Sequence, residues 1–442
     1  MSFQNLNKNL NLYIFIVIFF TILLFLIGFF FQENSAGAGS FKGDFKHVWN
    51  NLTLFKDNNF WEGLKATAGI GELKYKSSRT PLIYILNAYL NPFAESRDGY
   101  ILSIFFFSIF TYCLFYFSLR EKYKDKIHSS FIIFLSCIIL LSPYFRTSSY
   151  WGLEENFGIL AIFISFIFFK KIEDKNKGAN NFNIFLLALF SSLCVYFDHK
   201  LVIIPFYFLF NLLIGNNISL KKKFNLGMFY LFFSIPFLYL IYLWENIIPV
   251  GDAEVRGTLQ KIYFENIGFS LTIIAFYLFP FLFLKKENLF YVLKNKIKSL
   301  NIYIFFIFLV IYILILINFN PLEREFLGNG IVYKFSIIIF DNFELSKILL
   351  YLSFFVSALI IYLYIDNIKD YVFVFYLVLS SILVTPLLQE YFDPLMLILI
   401  LLFFNTKIYL NFSKLLFVYS YFLIFLLIAN LHYSFDIFSY FS

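Results

Sequence analysis

Residues 12–31 read LYIFIVIFFTILLFLIGFFF, an unbroken apolar run with no charged side chain. A helix of about 20 apolar residues crosses the hydrocarbon core of a bilayer, so this stretch alone predicts a membrane span. Ser35-Ala36-Gly37-Ala38-Gly39-Ser40 follows it and resembles a cleavage region. The apolar run is nevertheless longer than the roughly 7–15 residues of a signal-peptide core, and it reads as a retained anchor. Comparable runs recur along the chain, at roughly 100–119, 128–143, 152–170, 182–198, 200–214, 226–245, 267–284, 300–319, 348–365, 371–388, 392–404 and 415–432. The 442 residues are 60% hydrophobic and 14% charged, a balance that excludes an ordinary soluble domain. The expected architecture is an all-α polytopic membrane protein of about 12–13 transmembrane helices, one transmembrane domain over residues 1–442.

Charge sets the orientation. With the N-terminus cytoplasmic, the inner segments hold Arg120 to Lys126, Lys170-Lys171, Lys221-Lys222-Lys223 and Lys285 to Lys298. The acidic residues fall mostly in the alternate, outer segments, as the positive-inside rule requires. The net charge of +7 therefore marks topology against anionic membrane lipid and does not indicate a nucleic-acid partner. The three cysteines, Cys113, Cys137 and Cys194, all lie in expected spans and are too few and scattered for a disulfide framework or a zinc site. They read as small apolar residues.

The first outer loop, residues 32–99, is the largest polar segment. Phe45, Val48, Trp49, Leu52 and Phe55 recur at one-face helical spacing, which predicts an amphipathic helix in the interface plane. A second element starts at Thr80-Pro81, an N-cap with proline at the first helical position, and ends before Asn91-Pro92. It is too short to span and is expected to be re-entrant or interfacial.

Ionisable residues gather on the outer side. Asp44 follows the anchor and suits a general base or, more simply, a helix N-cap. His47 lies three residues on, close to the same face; the pair suits substrate orientation, and no third metal ligand is evident. Glu154 and Glu155 open a span, where acidic residues oppose the helix dipole or bond sugar hydroxyls. Asp198-His199-Lys200 interrupts a nearly continuous apolar run; it is a wetted turn or a cavity in which His199 and Lys200 meet a phosphate. Arg79, Arg146 and Arg324 carry forks suited to phosphate oxygens, although each alone also serves as an interface anchor. Glu390 and Asp393 sit in the late segment Gln389 to Pro394, which as easily forms a polar turn.

These residues together resemble the GT-C superfamily of membrane glycosyltransferases, which use polyprenyl-phosphate sugars. Asp44-Phe45-Lys46-His47 resembles the Asp-Glu…His start of the first loop in the alpha-1,2-glucosyltransferase of the dolichol pathway. Lys76 to Tyr84 resembles that family's Lys-Ile-Thr-Thr-Pro-Pro-Gly-Leu-Tyr segment. Asp198-His199-Lys200 and Glu390 to Pro394 stand where it has Arg-Gln-Thr-Asn and Glu-Pro-Arg-Tyr segments, but lack the arginine of each. The resemblance implies transfer of a sugar from a lipid-linked donor to a glycan, lipid or protein acceptor at the outer face of a bacterial inner membrane. Asp44 would be catalytic. The substrate-binding set would be His47, Arg79, Glu154, Glu155, Asp198, His199, Lys200, Arg324, Glu390 and Asp393, with Arg79, Lys200 and Arg324 as candidates for the phosphate. No cofactor beyond the polyprenyl-phosphate sugar is implied, and no metal, since the outer carboxylates are dispersed in sequence. The alternative is a transporter or flippase of a lipid-linked oligosaccharide, which would place ionisable residues mid-span; the expected spans here are almost free of them.

Overall fold

The structure is a computed structural model describing residues 3–37, 39, 43–71, 75–124, 127–174, 180–215, 218–256, 262–287, 289–298, 306, 309–310, 312–313, 315, 317, 328–340 and 343–435. Among these residues the chain is helical, with a single β-bridge between Ala68 and Lys76. It is an all-α membrane protein that forms two compact units, Met1–Val255 and Arg256–Ser442.

The first unit contains α1 (Phe3–Phe30), α2 (Asp44–Asp57), α3 (Phe60–Thr67), α4 (Leu82–Leu90), α5 (Arg97–Tyr123), α6 (Ser129–Ser136), α7 (Pro143–Trp151), α8 (Glu155–Glu173), α9 (Asn181–Phe197), α10 (Ile203–Ile214), α11 (Leu220–Trp244) and α12 (Val250–Arg256). Helix α9 lies against both α8 and α11, α8 against α5, and α2 against α4. The second unit contains α13 (Glu265–Leu282), α14 (Leu289–Lys298), α15 (Gly330–Ile339), α16 (Phe343–Tyr364), α17 (Tyr371–Ser381), α18 (Leu395–Ile398) and α19 (Phe412–Phe435). Helix α13 is its centre, packed on α15, α16, α17 and α19.

Six helices among the described residues are long and apolar enough to cross a membrane: those over 11–30, 97–123, 220–244, 265–282, 344–364 and 412–433. A seventh exists if α6 and α7, bent by 69°, count as one span. The 12–13 read from hydropathy are not reproduced, for local reasons. The runs at 182–198 and 200–214 become helices too short to span singly, and the run at 371–388 stops helically at Ser381. Much of 300–319 lies outside the described residues.

The α6–α7 bend corrects a second expectation. Hydropathy places residues 144–151 in an outer loop, yet every α7 residue is buried. Ser142 and Pro143 stop one helix and start the next: the Ser142 hydroxyl accepts from Phe145 N at 3.1 Å, with proline at the first helical position. The polar side chains of α7 are then satisfied internally. Thr147 accepts from Ala36 N at 3.0 Å and Ser149 donates to Phe145 O at 2.6 Å. Arg146 is wholly buried. Its Nε and Nη2 donate to Glu33 at 2.8 and 2.5 Å, and it also reaches the carbonyls of Leu140 and Leu24. Phe25 and Tyr150 flank the guanidinium. A Cβ at Gly28 would fall 2.5 Å from both Arg146 and Glu33, so only glycine lets α1 approach. Arg146 thus anchors the end of α1 to the bend, and its fork is fully used by protein.

Backbone defects inside spans are filled by side chains, as a dry medium demands. Pro236 lies within α11. The Tyr196 hydroxyl accepts from Phe237 N at 2.8 Å and donates to Phe233 O at 2.5 Å, closing the gap. In the second unit, Lys285 and Lys296 donate to the carbonyls of Leu363, Tyr362 and Ile365 and share Asp366, which caps the C-terminal end of α16.

Removing one partner of a buried charge pair costs about 3–5 kcal/mol, far more than replacing both. Glu33→Gln is therefore expected to lower the melting temperature of the detergent-purified protein clearly, and the double variant Glu33→Leu/Arg146→Met to lower it less. Equal melting of Glu33→Gln and the parent would show that the pair does not hold α1.

Candidate functional site

The polar residues of the first unit are gathered by the segment 75–81. Ser77 N donates to Thr67 O at 2.9 Å, and Gly251 N donates to Ser77 O at 2.9 Å. The Ser77 hydroxyl accepts from Arg79 N at 3.1 Å, and Thr80 Oγ1 donates to Phe197 O at 2.9 Å. One short stretch is thus tied to α3, α12 and the end of α9, and Arg79 is fixed between them. Thr80 ties the segment to α9 instead of capping α4, whose N-cap is Pro81.

Arg79 is the hub. Its Nε lies 2.6 Å from Glu154 Oε1 and its Nη2 lies 3.4 Å from Asp44 Oδ2. Asp44 is the first residue of α2, whose N-cap is Gly43 without a side-chain bond. The simpler N-cap reading of Asp44 is therefore replaced by an ion pair across the chain. Asp44 keeps 37% of its side chain exposed against 4% for Glu154, so it is the carboxyl that solvent or a ligand reaches.

Glu154 and Glu155 are delivered by Gly152, which ends α7 with φ +66°. A Cβ there would sit 2.7 Å from the Tyr100 ring, and Tyr100 donates to Gly152 O at 2.9 Å. Glu155 opens α8 and accepts from the Tyr144 hydroxyl at 2.6 Å and the Ser148 hydroxyl at 3.2 Å.

Electrostatics follow from burial. Desolvation raises the Glu154 carboxyl, Arg79 opposes it, and the neighbouring Glu155 and Asp44 add to the rise, leaving it at about 8. Burial beside further carboxyls disfavours the charged form of Glu154, and one guanidinium offsets this only in part. Burial alone would depress Arg79, but Glu154, Glu155, Tyr144 and Asp44 hold it well above its usual value. The Tyr84 hydroxyl is buried without a hydrogen-bond partner among the described residues; Tyr84 lies within electrostatic reach of Glu154 and Arg79.

Asp198, His199 and Lys200 adjoin this cluster. Asp198 Oδ1 accepts from Lys200 N at 3.0 Å and caps the 3-10 turn His199–Val202. Burial pushes its carboxyl up, but Lys200, His199, the backbone bond and Arg79 together carry it below the usual value. His199 Nε2 lies 3.5 Å from Asp252 Oδ2, on α12. His47 faces the same segment from α2, with Nδ1 3.1 Å from the Tyr75 hydroxyl.

Eight of the residues singled out in the sequence thus fall along one connected polar region of the first unit: Asp44, His47, Arg79, Glu154, Glu155, Asp198, His199 and Lys200. Glu390 and Asp393 belong to the second unit. Asp393 is buried near Tyr277, while Glu390 lies in the 3-10 turn Gln389–Tyr391 within electrostatic reach of Tyr433. Arg324 lies outside the described residues. Carboxylates dispersed in sequence do converge at Arg79, yet among the described residues no three His, Cys, Asp or Glu side chains are grouped to hold a metal ion.

Sequence reading missed Asp252, Tyr84, Tyr144 and Ser148. Tyr84 and Tyr144 stand inside segments that were already notable, but nothing local marks their hydroxyls as buried. Asp252 is one acid among several in a polar loop.

Comparison with protein-family models, curated proteins and solved structures gives no match.

Because folding raises the Glu154 carboxyl from its ordinary value toward about 8, the native state binds a proton that the unfolded chain releases. Its contribution to stability is therefore full below the ordinary carboxylate range and is lost as pH rises toward 8. Melting temperature should fall from about pH 5 to about pH 8, between the ordinary and the raised value, and Glu154→Gln should flatten that slope. An unchanged slope in the variant would show that Glu154 is not the titrating group.

Proposed function

We propose that this protein is an integral membrane glycosyltransferase that moves a sugar from a polyprenyl-phosphate donor to a glycan, lipid or protein acceptor. The observation that carries the reading is the convergence of Asp44, Arg79, Glu154 and Glu155 at the ends of apolar helices. Such a cluster is expensive in a greasy protein unless function retains it.

In this mechanism the acceptor hydroxyl gives its proton to Asp44 as its oxygen bonds to the anomeric carbon. The bond from that carbon to the phosphate oxygen breaks, and the polyprenyl phosphate departs with the electron pair. Asp44 suits the base role because it is the exposed member of the cluster and is positioned by Arg79. Arg79 is engaged by carboxylates, so we assign it to positioning, and the departing phosphate falls to Lys200. The Tyr84 hydroxyl, buried without a hydrogen-bond partner among the described residues, offers a donor for a sugar hydroxyl.

Sidedness supports an extracytoplasmic site. Arg97 and Glu155 open α5 and α8 at the cluster end, while Arg120, Lys122, Lys170 and Lys171 close the same helices at the other end. The positive-inside rule assigns the lysine-rich end to the cytoplasm, and the bacterial inner membrane is the membrane we propose.

Asp44→Asn should leave membrane insertion and yield unchanged and cut transfer by about 10²–10⁴-fold, the usual worth of a general base. The assay uses labelled polyprenyl-phosphate hexoses with membrane acceptors. Turnover retained by the variant would remove Asp44 from the reaction, and movement of lipid-linked oligosaccharide across vesicles without transfer would support a flippase instead.

A further inference from the structure

A second site lies on the same two helices as the carboxyl cluster, near their opposite ends. A cavity of about 510 Å³ opens where α5 and α8 terminate, lined by Phe117, Arg120, Glu121, Lys124, Ile167 and Lys171. The spacing explains the lining. Residues 117, 120, 121 and 124 share one face of α5, and residues 167 and 171 share one face of α8.

The cavity has two tiers. Phe117 and Ile167 lie one turn further into the apolar part of the helices, and the charged residues lie at the rim. Within the rim, Lys124 pairs with Glu121 at 3.2 Å, so those two charges offset each other. Lys171 lies 4.9 Å over the Phe168 ring. Among the described residues no carboxylate pairs with Arg120 or Lys171. Two cations therefore face a cavity that has an apolar floor.

Depth gives the setting. From Tyr100, beside the carboxyl cluster, to Arg120 the helix rises about 30 Å at ~1.5 Å per residue, which is the thickness of a bilayer core. The cavity therefore sits at the headgroup level of the leaflet opposite the cluster. An anion with an attached hydrocarbon chain matches both tiers: the phosphate meets Arg120 and Lys171, and the chain lies along Phe117, whose ring is 47% exposed.

We infer that the cavity between the ends of α5 and α8 binds the phosphate headgroup of an anionic phospholipid, with Arg120 and Lys171 as its two cationic contacts and Phe117 against the acyl chain. This stands apart from the glycosyltransfer reading and does not depend on it. Basic clusters at this depth attract anionic headgroups generally; here the two cations line a cavity with Phe117 and Ile167 as its apolar part.

Native mass spectrometry of the full-length protein, titrated with phosphatidylglycerol or phosphatidylcholine of equal chain length, tests the site. The parent should retain one phosphatidylglycerol in preference to phosphatidylcholine. Arg120→Gln/Lys171→Gln should weaken that retention by about 30-fold, at roughly one kcal/mol per cation near the surface. Arg120→Lys should keep most of it, and the triple glutamine variant of Lys221, Lys222 and Lys223 should keep all of it. Matching melting temperatures identify variants that fold, and Phe117→Ala serves as a second probe if the double variant does not. Equal retention of the two lipids, unchanged retention in the folded double variant, or equal loss in the triple variant overturns the assignment. Displacement of the lipid by millimolar inorganic phosphate would also overturn it, since a site for free anion needs no acyl chain.

Discussion

A single guanidinium, Arg79, organises the polar part of the first unit. It sits in a dry site with Glu154 at 2.6 Å, Asp44 at 3.4 Å and Glu155 close by. Buried ion pairs of this kind seldom add net stability over apolar packing, because desolvation offsets the attraction. What they supply is position. The carboxyls come from α2 and from the α7–α8 turn, and the cation holds Asp44 and Glu154 in place there. Burial, with the acidic excess around Arg79 adding to it, is also what raises the Glu154 carboxyl.

The same constraint governs the apolar bulk. Hydrocarbon offers no partner to a polar group, so each one placed in it must be satisfied by protein. Tyr196 fills the break at Pro236, Arg146 closes on Glu33, and Asp370 in the second unit accepts from both the backbone and side-chain nitrogens of Asn405. Lys285 and Lys296 stand in what charge patterning reads as a topology signal, yet both end in specific bonds at the close of α16. A residue that orients a chain in the membrane is thereby also a structural cap.

Legibility differed by element. The stripe on α2 was visible in sequence because its contacts are set by helical period: of Phe45, Val48, Trp49, Leu52 and Phe55, all but the half-buried Trp49 are buried. The stop at Ser142-Pro143 was equally local, but the burial of α7 was not. Its residues look like loop because Arg, Thr and Ser are usually solvated, and partners more than a hundred residues away in Glu33 and Ala36 help to satisfy them here. The count of long helices among the described residues falls below the count of apolar runs for a related reason. Hydropathy reports what a segment tolerates, whereas helix length depends on where proline, serine and neighbouring helices interrupt the ladder.

The amino-acid order by itself established a membrane protein, the segregation of acidic from basic segments and the amphipathic helix after the first apolar run, since each rests on composition or on near neighbours along the chain. Which carboxyls meet at Arg79, that Asp252 pairs with His199, and that Arg146 is spent on Glu33 were decided only by tertiary structure. Those contacts join positions tens to over a hundred residues apart, and at that separation the path of the whole chain, not the local pattern, determines which charges share a dry site.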